Sequence, residues 1–191
     1  KLVFNFYFIK FMIINILIYP LYFLLYRSIV FNKIIKMLRK IVTVLIVIIV
    51  VMQFFPPVEN KSDTTPPTDL LLVENVPENV KATLTNACYD CHSNNTNYPW
   101  YASIEPVSYW LSGHINDGKE HLDFSQWDLY SAKKKAHKLE EINEAVTEGW
   151  MPLDSYKWLH ADATLTEEQS QAVANWANML RLKYETSAQP Q

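Results

Sequence analysis

The sequence predicts an all-α fold for the polar part of this chain. Only three glycines occur in its 191 residues, and apolar side chains recur at the three- and four-residue spacing of helices. The clearest helix start is Thr166-Glu167-Glu168-Gln169, which matches a capping box in which the first and fourth residues exchange hydrogen bonds. We therefore predict one helical domain over residues 76–185, followed by a short disordered tail over 186–191.

Four helices are expected in this domain, and proline, glycine and capping signals set their boundaries. They are predicted over residues 77–87, about 106–116, 125 or 128 to 148, and from 166 onward. Gly118 and Gly149 stand just past the second and third ranges, where glycine often ends a helix.

Charge divides the chain near residue 55. All 20 acidic residues lie beyond it, with 10 of the 17 basic ones, so residues 56–191 carry a net charge of −10. The first 55 residues hold the other seven basic residues and no acidic one. A basic, apolar front joined to an acidic, polar remainder predicts a membrane anchor that carries a soluble domain. An acidic domain is not expected to bind nucleic acid.

The anchor is predicted as a transmembrane helix over residues 37–55, which contain the apolar run from Ile41 to Met52. Nineteen helical residues span about 28 Å, close to the ~30 Å hydrocarbon core of a bilayer. Arg39 and Lys40 would keep the N-terminus inside and place the domain outside. The alternative is a cleaved signal peptide, although no small-residue cleavage site follows the run.

Residues 1–36 lack Ala, Gly, Asp, Glu and Thr altogether. We interpret Met37, which is followed by a basic Leu-Arg-Lys sequence, as the biological start and residues 1–36 as translated upstream DNA. The alternative is a genuine extra hydrophobic helix over about residues 2–26.

Residues 56–75 are polar and contain four prolines. Such a composition predicts a semi-extended tether between anchor and domain. The alternative is a loop that lies on the domain.

The only two cysteines stand in the arrangement Cys88-Tyr89-Asp90-Cys91-His92. Two thiols three positions apart on one turn can each bond a vinyl group of the same porphyrin, and the adjacent histidine can then bind the iron. A redox dithiol or half of a zinc site would share the cysteine spacing, but no βαβ pattern and no second cysteine pair accompany it. The motif predicts one covalent haem c held by Cys88 and Cys91, with His92 as proximal ligand.

Met151 is the predicted distal ligand of the iron. It precedes Pro152 in a loop just after a helix stop, and ligands are often placed on such loops. Met179 falls within the last helix, where a core or surface role is expected. The histidines outside the motif are weaker candidates: His114, His121, His137 and His160.

The domain is rich in aromatic side chains, which can build a small core and also enclose a haem. Most of them are expected to serve the core. Trp100 and Tyr101, eight and nine residues after His92, are candidates for hydrogen bonds to the haem propionates.

Four segments resemble a known family. They are CYDCHSNNTNYPWY at 88–101, GKEHLDFSQW at 118–127, GWMPLDSYKWLH at 149–160 and the Leu-Thr start of the last helix. In this order they resemble a family of small bacterial haem-binding domains related to class I cytochromes c, over about residues 75–184. The resemblance implies a cytochrome-c-like fold with Cys88 and Cys91 as attachment sites and His92 and Met151 as iron ligands. It implies no particular reaction.

These observations predict a membrane-anchored monohaem c-type cytochrome, an electron carrier rather than an enzyme, on the periplasmic side of the bacterial cytoplasmic membrane. His/Met ligation leaves no open iron position for a substrate. The acidic charge predicts a redox partner with a basic or neutral docking face. Two alternatives stay open: a gas sensor or peroxidase-like enzyme with an open iron site, and a non-catalytic haem-binding interaction module.

Overall fold

The computed structural model describes residues 10–15 and 19–187, and the regular elements of this part of the chain are helices. The all-α prediction is therefore confirmed for the described residues. The chain divides into two compact units, residues 1–55 and 56–191.

The N-terminal unit contains the long helix α1 (Tyr19–Met52). Within the described residues, no helix combines the length and the apolar character needed to cross a membrane, so the transmembrane helix predicted over 37–55 is not found. The helix ends at Met52, and the uncharged run between Lys40 and this end is only about 18 Å long at 1.5 Å per residue. Residues 1–9 and 16–18, part of the presumed upstream segment, lie outside the described residues.

The second unit is built from shorter helices joined by turns. Its α-helices are α2 (Leu70–Val73), α3 (Glu78–Ala87), α4 (Tyr89–His92), α5 (Val107–His121), α6 (Ala132–Glu148), α7 (Asp154–Lys157) and α8 (Glu167–Ser187). 3-10 turns occur at Trp100–Ser103, Phe124–Leu129 and Ala161–Ala163. Helix α6 packs along α8, and α3 also contacts α8, so these three helices enclose the core.

The core combines aliphatic side chains with two buried tryptophans. Its members are Leu70, Val80, Leu84, Leu122, Phe124, Trp127, Leu139, Ile142, Val146, Val173, Ala174, Trp176 and Ala177. A large apolar side chain that is fully buried contributes about 1.5–3 kcal/mol through the hydrophobic effect. The indole N–H of Trp127 donates to the buried Glu74 carboxylate at 2.9 Å, and the Tyr184 hydroxyl donates to the same oxygen. The polar atom of this tryptophan is thus satisfied inside the core.

Two helix-end signals are confirmed. The backbone N–H of Thr166 donates to Gln169 Oε1 at 2.9 Å, and the N–H of Gln169 donates to Thr166 Oγ1 at 3.2 Å, so the capping box is reciprocal. Gly149 follows α6 with φ of 75°, the left-handed conformation that glycine adopts without strain.

Three predicted boundaries differ in the structure. Helix α5 continues through Gly118 to His121 because this glycine serves a close contact instead of a helix end. Helix α6 begins only after Ser131, whose hydroxyl caps it, and residues 124–129 form a 3-10 turn. Helix α8 extends to Ser187, two residues into the predicted tail, of which residues 188–191 lie outside the described range.

The predicted tether over 56–75 lies on the second unit. The Asn60 side chain donates to the Ser93 carbonyl at 2.7 Å, and the Thr68 hydroxyl donates to the Ser125 carbonyl at 2.6 Å. Leu70 is fully buried in the core. Much of this segment is therefore part of the domain, as the alternative of a loop lying on the domain describes.

Candidate functional site

The candidate site is the turn that carries both cysteines. Cys88 follows α3 and caps α4, so Cys88, Cys91 and His92 share one helical turn. The backbone N–H groups of Cys91 and His92 donate to the Cys88 carbonyl at 3.2 and 3.0 Å. Both thiols are half-buried and form no disulfide. The structure thus brings together the three side chains that the motif singled out.

His92 is oriented by the backbone that follows α5. Its Nδ1 lies 2.9 Å from the carbonyl oxygen of Leu122. A carbonyl can only accept, so Nδ1 carries the proton and Nε2 keeps its lone pair. Burial lowers the pKa of His92, an effect only partly opposed by its hydrogen bonds to the backbone. The ring is therefore neutral near pH 7 and has one nitrogen able to bind a metal.

The thiols are held in their protonated form. Burial raises the pKa of Cys88 to about 12, with a smaller contribution from Cys91. Burial also raises the pKa of Cys91 to about 11, and the charge of Asp90 adds to this effect. Catalytic redox dithiols have a lowered thiol pKa. The environment of this pair does not favour that chemistry.

Tyr89, the first variable residue of the motif, is tied to the segment upstream. Its hydroxyl donates to Asp69 Oδ1 at 2.8 Å, and its ring stacks on Phe124 at 5.1 Å between centroids. Asp69 is only 1% exposed and also accepts from the Leu71 N–H at 3.0 Å and the Ser125 hydroxyl at 3.3 Å. A buried carboxylate with three donors fixes this side of the turn.

Asp90, the second variable residue, is tied to the segment downstream. Its Oδ2 accepts from the Tyr156 hydroxyl at 2.7 Å, and its Oδ1 accepts from the Asn97 N–H at 2.9 Å. The Thr96 hydroxyl donates to the Asp90 carbonyl at 2.6 Å. Tyr89 is therefore fixed by a residue earlier in the chain, and Asp90 is fixed by residues later in the chain.

The loop after His92 is fixed by Asn60 and Lys119. The Lys119 ammonium donates to Asn60 Oδ1 at 2.8 Å and to Asn94 Oδ1 at 2.5 Å. Asn60 in turn donates to Thr96 Oγ1 at 2.9 Å. This network connects the 56–75 segment and α5 to the loop that leaves the motif.

Helix α5 approaches the motif closely at Gly118. A Cβ atom at this position would lie 2.8 Å from the carbonyl oxygen and 3.3 Å from the Cβ of Cys91. Only glycine allows such an approach without a shift of the backbone.

Met151 is half-buried in the loop between α6 and α7. Its N–H donates to the Ala145 carbonyl at 3.3 Å, and the residue lines a cavity of about 220 Å³ between the end of α6 and the start of α8. None of the described residues around this cavity belongs to the 88–92 turn. The loop nevertheless leads into α7, from which Tyr156 reaches Asp90. Ligation by Met151 stays a prediction.

Trp100 and Tyr101 differ in their surroundings. Trp100 is 79% exposed, and its ring meets that of Tyr101 edge-on at 5.8 Å. The rings of Tyr101 and His160 meet edge-on with their centroids 6.4 Å apart. Burial, together with the charge of Asp90, raises the pKa of the Tyr101 hydroxyl. The role of both residues beside a haem stays a prediction.

The remaining candidate ligands form two groups: exposed side chains, and histidines whose ring lies close to a backbone carbonyl. Met179 is 64% exposed on α8, and the exposed His137 pairs with Glu141 at 3.1 Å. His121 is also exposed. His114 and His160 instead place Nδ1 near the carbonyl four residues earlier, at 2.9 and 3.1 Å.

Sequence reasoning missed the groups that orient the motif. Leu122 acts through its backbone carbonyl, which no side-chain pattern reveals. Asp69 and Tyr156 lie 20 and 66 positions from their partners, so only the fold brings them to the motif.

Comparison with known proteins adds one finding. A family model described as a haem-binding domain matches residues 47–179. The matched range includes the 88–92 turn and Met151. No curated protein and no solved structure matches the chain.

Proposed function

Because the chain belongs to the haem-binding domain family, we propose that it is a monohaem c-type cytochrome that carries single electrons. When bound, the haem supplies an iron that takes up and releases one electron. The observation that carries this proposal is the hydrogen bond from His92 Nδ1 to the Leu122 carbonyl at 2.9 Å. It leaves Nε2 free to bind the iron, on the same turn as two protonated thiols.

The residues of the turn fit covalent attachment. Cys88 and Cys91 would hold the porphyrin through thioether bonds, because a thiol can add its sulfur to one carbon of a vinyl group and its hydrogen to the other. This addition is redox-neutral and needs no external oxidant. A paired thiol spacing and an adjacent neutral imidazole are the donor set that a c-type haem requires.

The proposal includes Met151 as the distal ligand. Its support is the position of the loop, which is bound to α6 through Ala145 on one side and to Asp90 through Tyr156 on the other. A thioether opposite an imidazole raises the reduction potential and closes the iron to substrates, which suits an electron carrier.

The test is spectroscopic. The full chain is produced with a c-type maturation system, and its absorption is recorded in both oxidation states together with a pyridine haemochrome assay. We expect a covalent haem, a low-spin spectrum and the weak far-red band of methionine bound to ferric iron. A high-spin protein that binds carbon monoxide readily would support the sensor or enzyme alternative, and a chain without covalent haem would contradict the proposal. A Cys88→Ala, Cys91→Ala variant is the negative control.

The proposed location is the outer face of the bacterial cytoplasmic membrane, where covalent haem attachment takes place. Membrane association of the N-terminal unit is supported by its apolar side chains from Ile41 to Val51, which are 43–58% exposed. Protease treatment of spheroplasts should digest the haem domain, and protection of the domain would contradict this location.

The proposed partner is a redox protein with a basic or neutral docking face, because residues 56–191 carry a net charge of −10. Electron exchange with a basic partner should slow as ionic strength rises. A rate that is independent of salt would contradict charge-guided docking.

A further inference from the structure

The haem-attachment turn and the Met151 loop are joined by one side-chain hydrogen bond. Asp90 lies in the turn, and Tyr156 lies in α7, 66 positions later and five residues after Met151. We propose that Tyr156 is a positioning residue whose hydroxyl holds the Met151 loop against the turn and so keeps Met151 on the iron. This inference rests on the proposed His/Met ligation.

The hydrogen bond is short and its acceptor is fixed. Tyr156 donates to Asp90 Oδ2 at 2.7 Å, while the other oxygen accepts from the Asn97 N–H at 2.9 Å. Because both carboxylate oxygens are engaged, Asp90 presents Oδ2 in one orientation. Hydrogen bonds to an ionised acceptor are about twice as strong as those between neutral groups. Burial, and then the bond to Asp90, raise the pKa of Tyr156, so its hydroxyl keeps its proton as the donor.

The ring of Tyr156 is held independently of its hydroxyl. It stacks on His160 with centroids 4.1 Å apart and planes inclined by 14°. His160 in turn contacts the ring of Tyr101. A change from tyrosine to phenylalanine at position 156 keeps these ring contacts and removes only the bond to Asp90.

Met151 lies between two points of attachment. Its own N–H is bound to the Ala145 carbonyl at 3.3 Å, and Tyr156 follows in the short helix α7. Because only four residues separate Met151 from Tyr156, loss of the second attachment frees the Met151 side of the loop. The fraction of molecules in which the loop has left the iron then rises.

The chain offers a matched control. Tyr184 also donates its hydroxyl to a carboxylate, but its partner Glu74 lies in the core, and neither residue belongs to the haem-attachment turn or to the Met151 loop. Tyr184→Phe and Tyr156→Phe therefore remove the same chemical group, but only the second change acts on the bond between the turn and the loop.

The experiment measures how often the iron becomes open. Imidazole is titrated into the ferric full-chain haem protein, where it can bind only after Met151 leaves, so its apparent affinity reports the open fraction. We expect Tyr156→Phe to bind imidazole about tenfold more tightly, the size expected for the loss of one charge-assisted hydrogen bond. Tyr184→Phe should stay within about twofold of the wild type.

Each other outcome is decisive. If the wild type shows the far-red methionine band but Tyr156→Phe binds imidazole with wild-type affinity, the positioning role is overturned and the proposed function stands. Equal gains in Tyr156→Phe and Tyr184→Phe also overturn it, because a general destabilisation of the domain would then be responsible. A wild type without the methionine band overturns the Met151 assignment and this inference with it.

Asp90→Asn provides a second variant if Tyr156→Phe does not fold. The amide oxygen still accepts from Tyr156 but carries no charge, so we expect a smaller gain in imidazole affinity, about two- to fivefold. In the Asp90→Asn background, Tyr156→Phe should add less than it does alone, because both changes act on one bond. Full additivity of the two changes would contradict a shared role.

Discussion

The Nδ1 atom of His92 is bound to the carbonyl oxygen of Leu122, thirty residues further along the chain, at 2.9 Å. The orientation of this imidazole is therefore set by the backbone at the end of α5. The nearby ring of Phe124, 5.9 Å away between centroids, limits its rotation further. Because the acceptor is the backbone carbonyl, a side-chain substitution at Leu122 would leave the hydrogen bond from His92 Nδ1 in place. The Nε2 atom of His92 would then stay available.

Replacement of His92 should remove the nitrogen that we propose as the ligand of the haem iron. We expect His92→Ala to reduce low-spin haem per polypeptide by more than about tenfold, since even outer-shell partners of metal ligands often matter by 10–100-fold. The haemochrome yield and the Soret spectrum measure this loss. His137→Ala is the control, because His137 is exposed and pairs only with neighbouring glutamates on its helix. Wild-type spectra for His92→Ala would contradict the proximal role.

Asp69 should be a strong determinant of stability. Asp69→Ala leaves the half-buried Tyr89 hydroxyl and the buried Ser125 hydroxyl without their acceptor, and we expect a loss of about 2–4 kcal/mol in the free energy of unfolding. Urea denaturation measures this value. The exposed Asp63 lies in the same segment, and Asp63→Ala should change it by less than about 0.5 kcal/mol. Equal effects of the two changes would show that the segment is not docked in solution.

The two helical glycines of α5 should respond to alanine with opposite signs. A Cβ at Gly118 would lie 2.8 Å from the Cys91 carbonyl oxygen, whereas a Cβ at Gly113 meets nothing within 4 Å. Gly113→Ala should stabilise the domain by about 0.5–1 kcal/mol through helix propensity. Gly118→Ala should destabilise it by about 1–2 kcal/mol, because the steric cost exceeds that gain. The midpoint temperatures of thermal unfolding of the two variants measure these changes. A higher midpoint in both variants would contradict the close approach of α5 to Cys91.

The thiols of the chain without haem should react slowly. Burial raises the pKa of Cys91 to about 11 and that of Cys88 to about 12, so only a very small fraction of either thiol is ionised at pH 8. Iodoacetamide should therefore label both folded thiols slowly, and urea should accelerate both about a hundredfold or more. Mass spectrometry after timed quenching measures the rates. Fast labelling of the folded chain would contradict the burial of the thiols.

The same thiols make the haem-free chain sensitive to alkaline pH. The unfolded thiols ionise near pH 8.5, before the folded ones, so the unfolded state loses protons first. Their contribution to stability is complete below about pH 8.5 and is lost as the pH rises towards 11 and 12. The urea concentration at the midpoint of unfolding should therefore be lower at pH 10 than at pH 7. A Cys88→Ser, Cys91→Ser variant should show a smaller decrease.

Local chemistry made part of the fold predictable. The capping box at Thr166 and Gln169 and the left-handed Gly149 depend on neighbours within a few residues, so the sequence alone identifies them. Gly118 was predicted to end a helix because glycine often does so. Its actual reason, contact with the Cys91 backbone, depends on tertiary packing that no local pattern contains.

A run of lysines shows the same limit. The sequence favours a solvated face for Lys133–Lys138, yet Lys135 is 6% exposed. Its ammonium reaches Asp128 at 3.1 Å and the Tyr184 hydroxyl at 3.4 Å. Tyr184 lies on α8, so only the pairing of α6 with α8 determines which lysine of the run is buried.

The docking of the 56–75 segment also sets an order of events as the chain is made. Asp69 leaves the ribosome and any export channel well before Ser125, its partner 56 residues later. Until then the Asp69 carboxylate lacks one of its three donors, so the docking of the segment beside Tyr89 is incomplete. We therefore expect the two cysteines to be accessible to modification only until the later residues have been made and have docked. If a haem is attached as we propose, the delay between the two parts of the chain gives the attaching enzyme its opportunity.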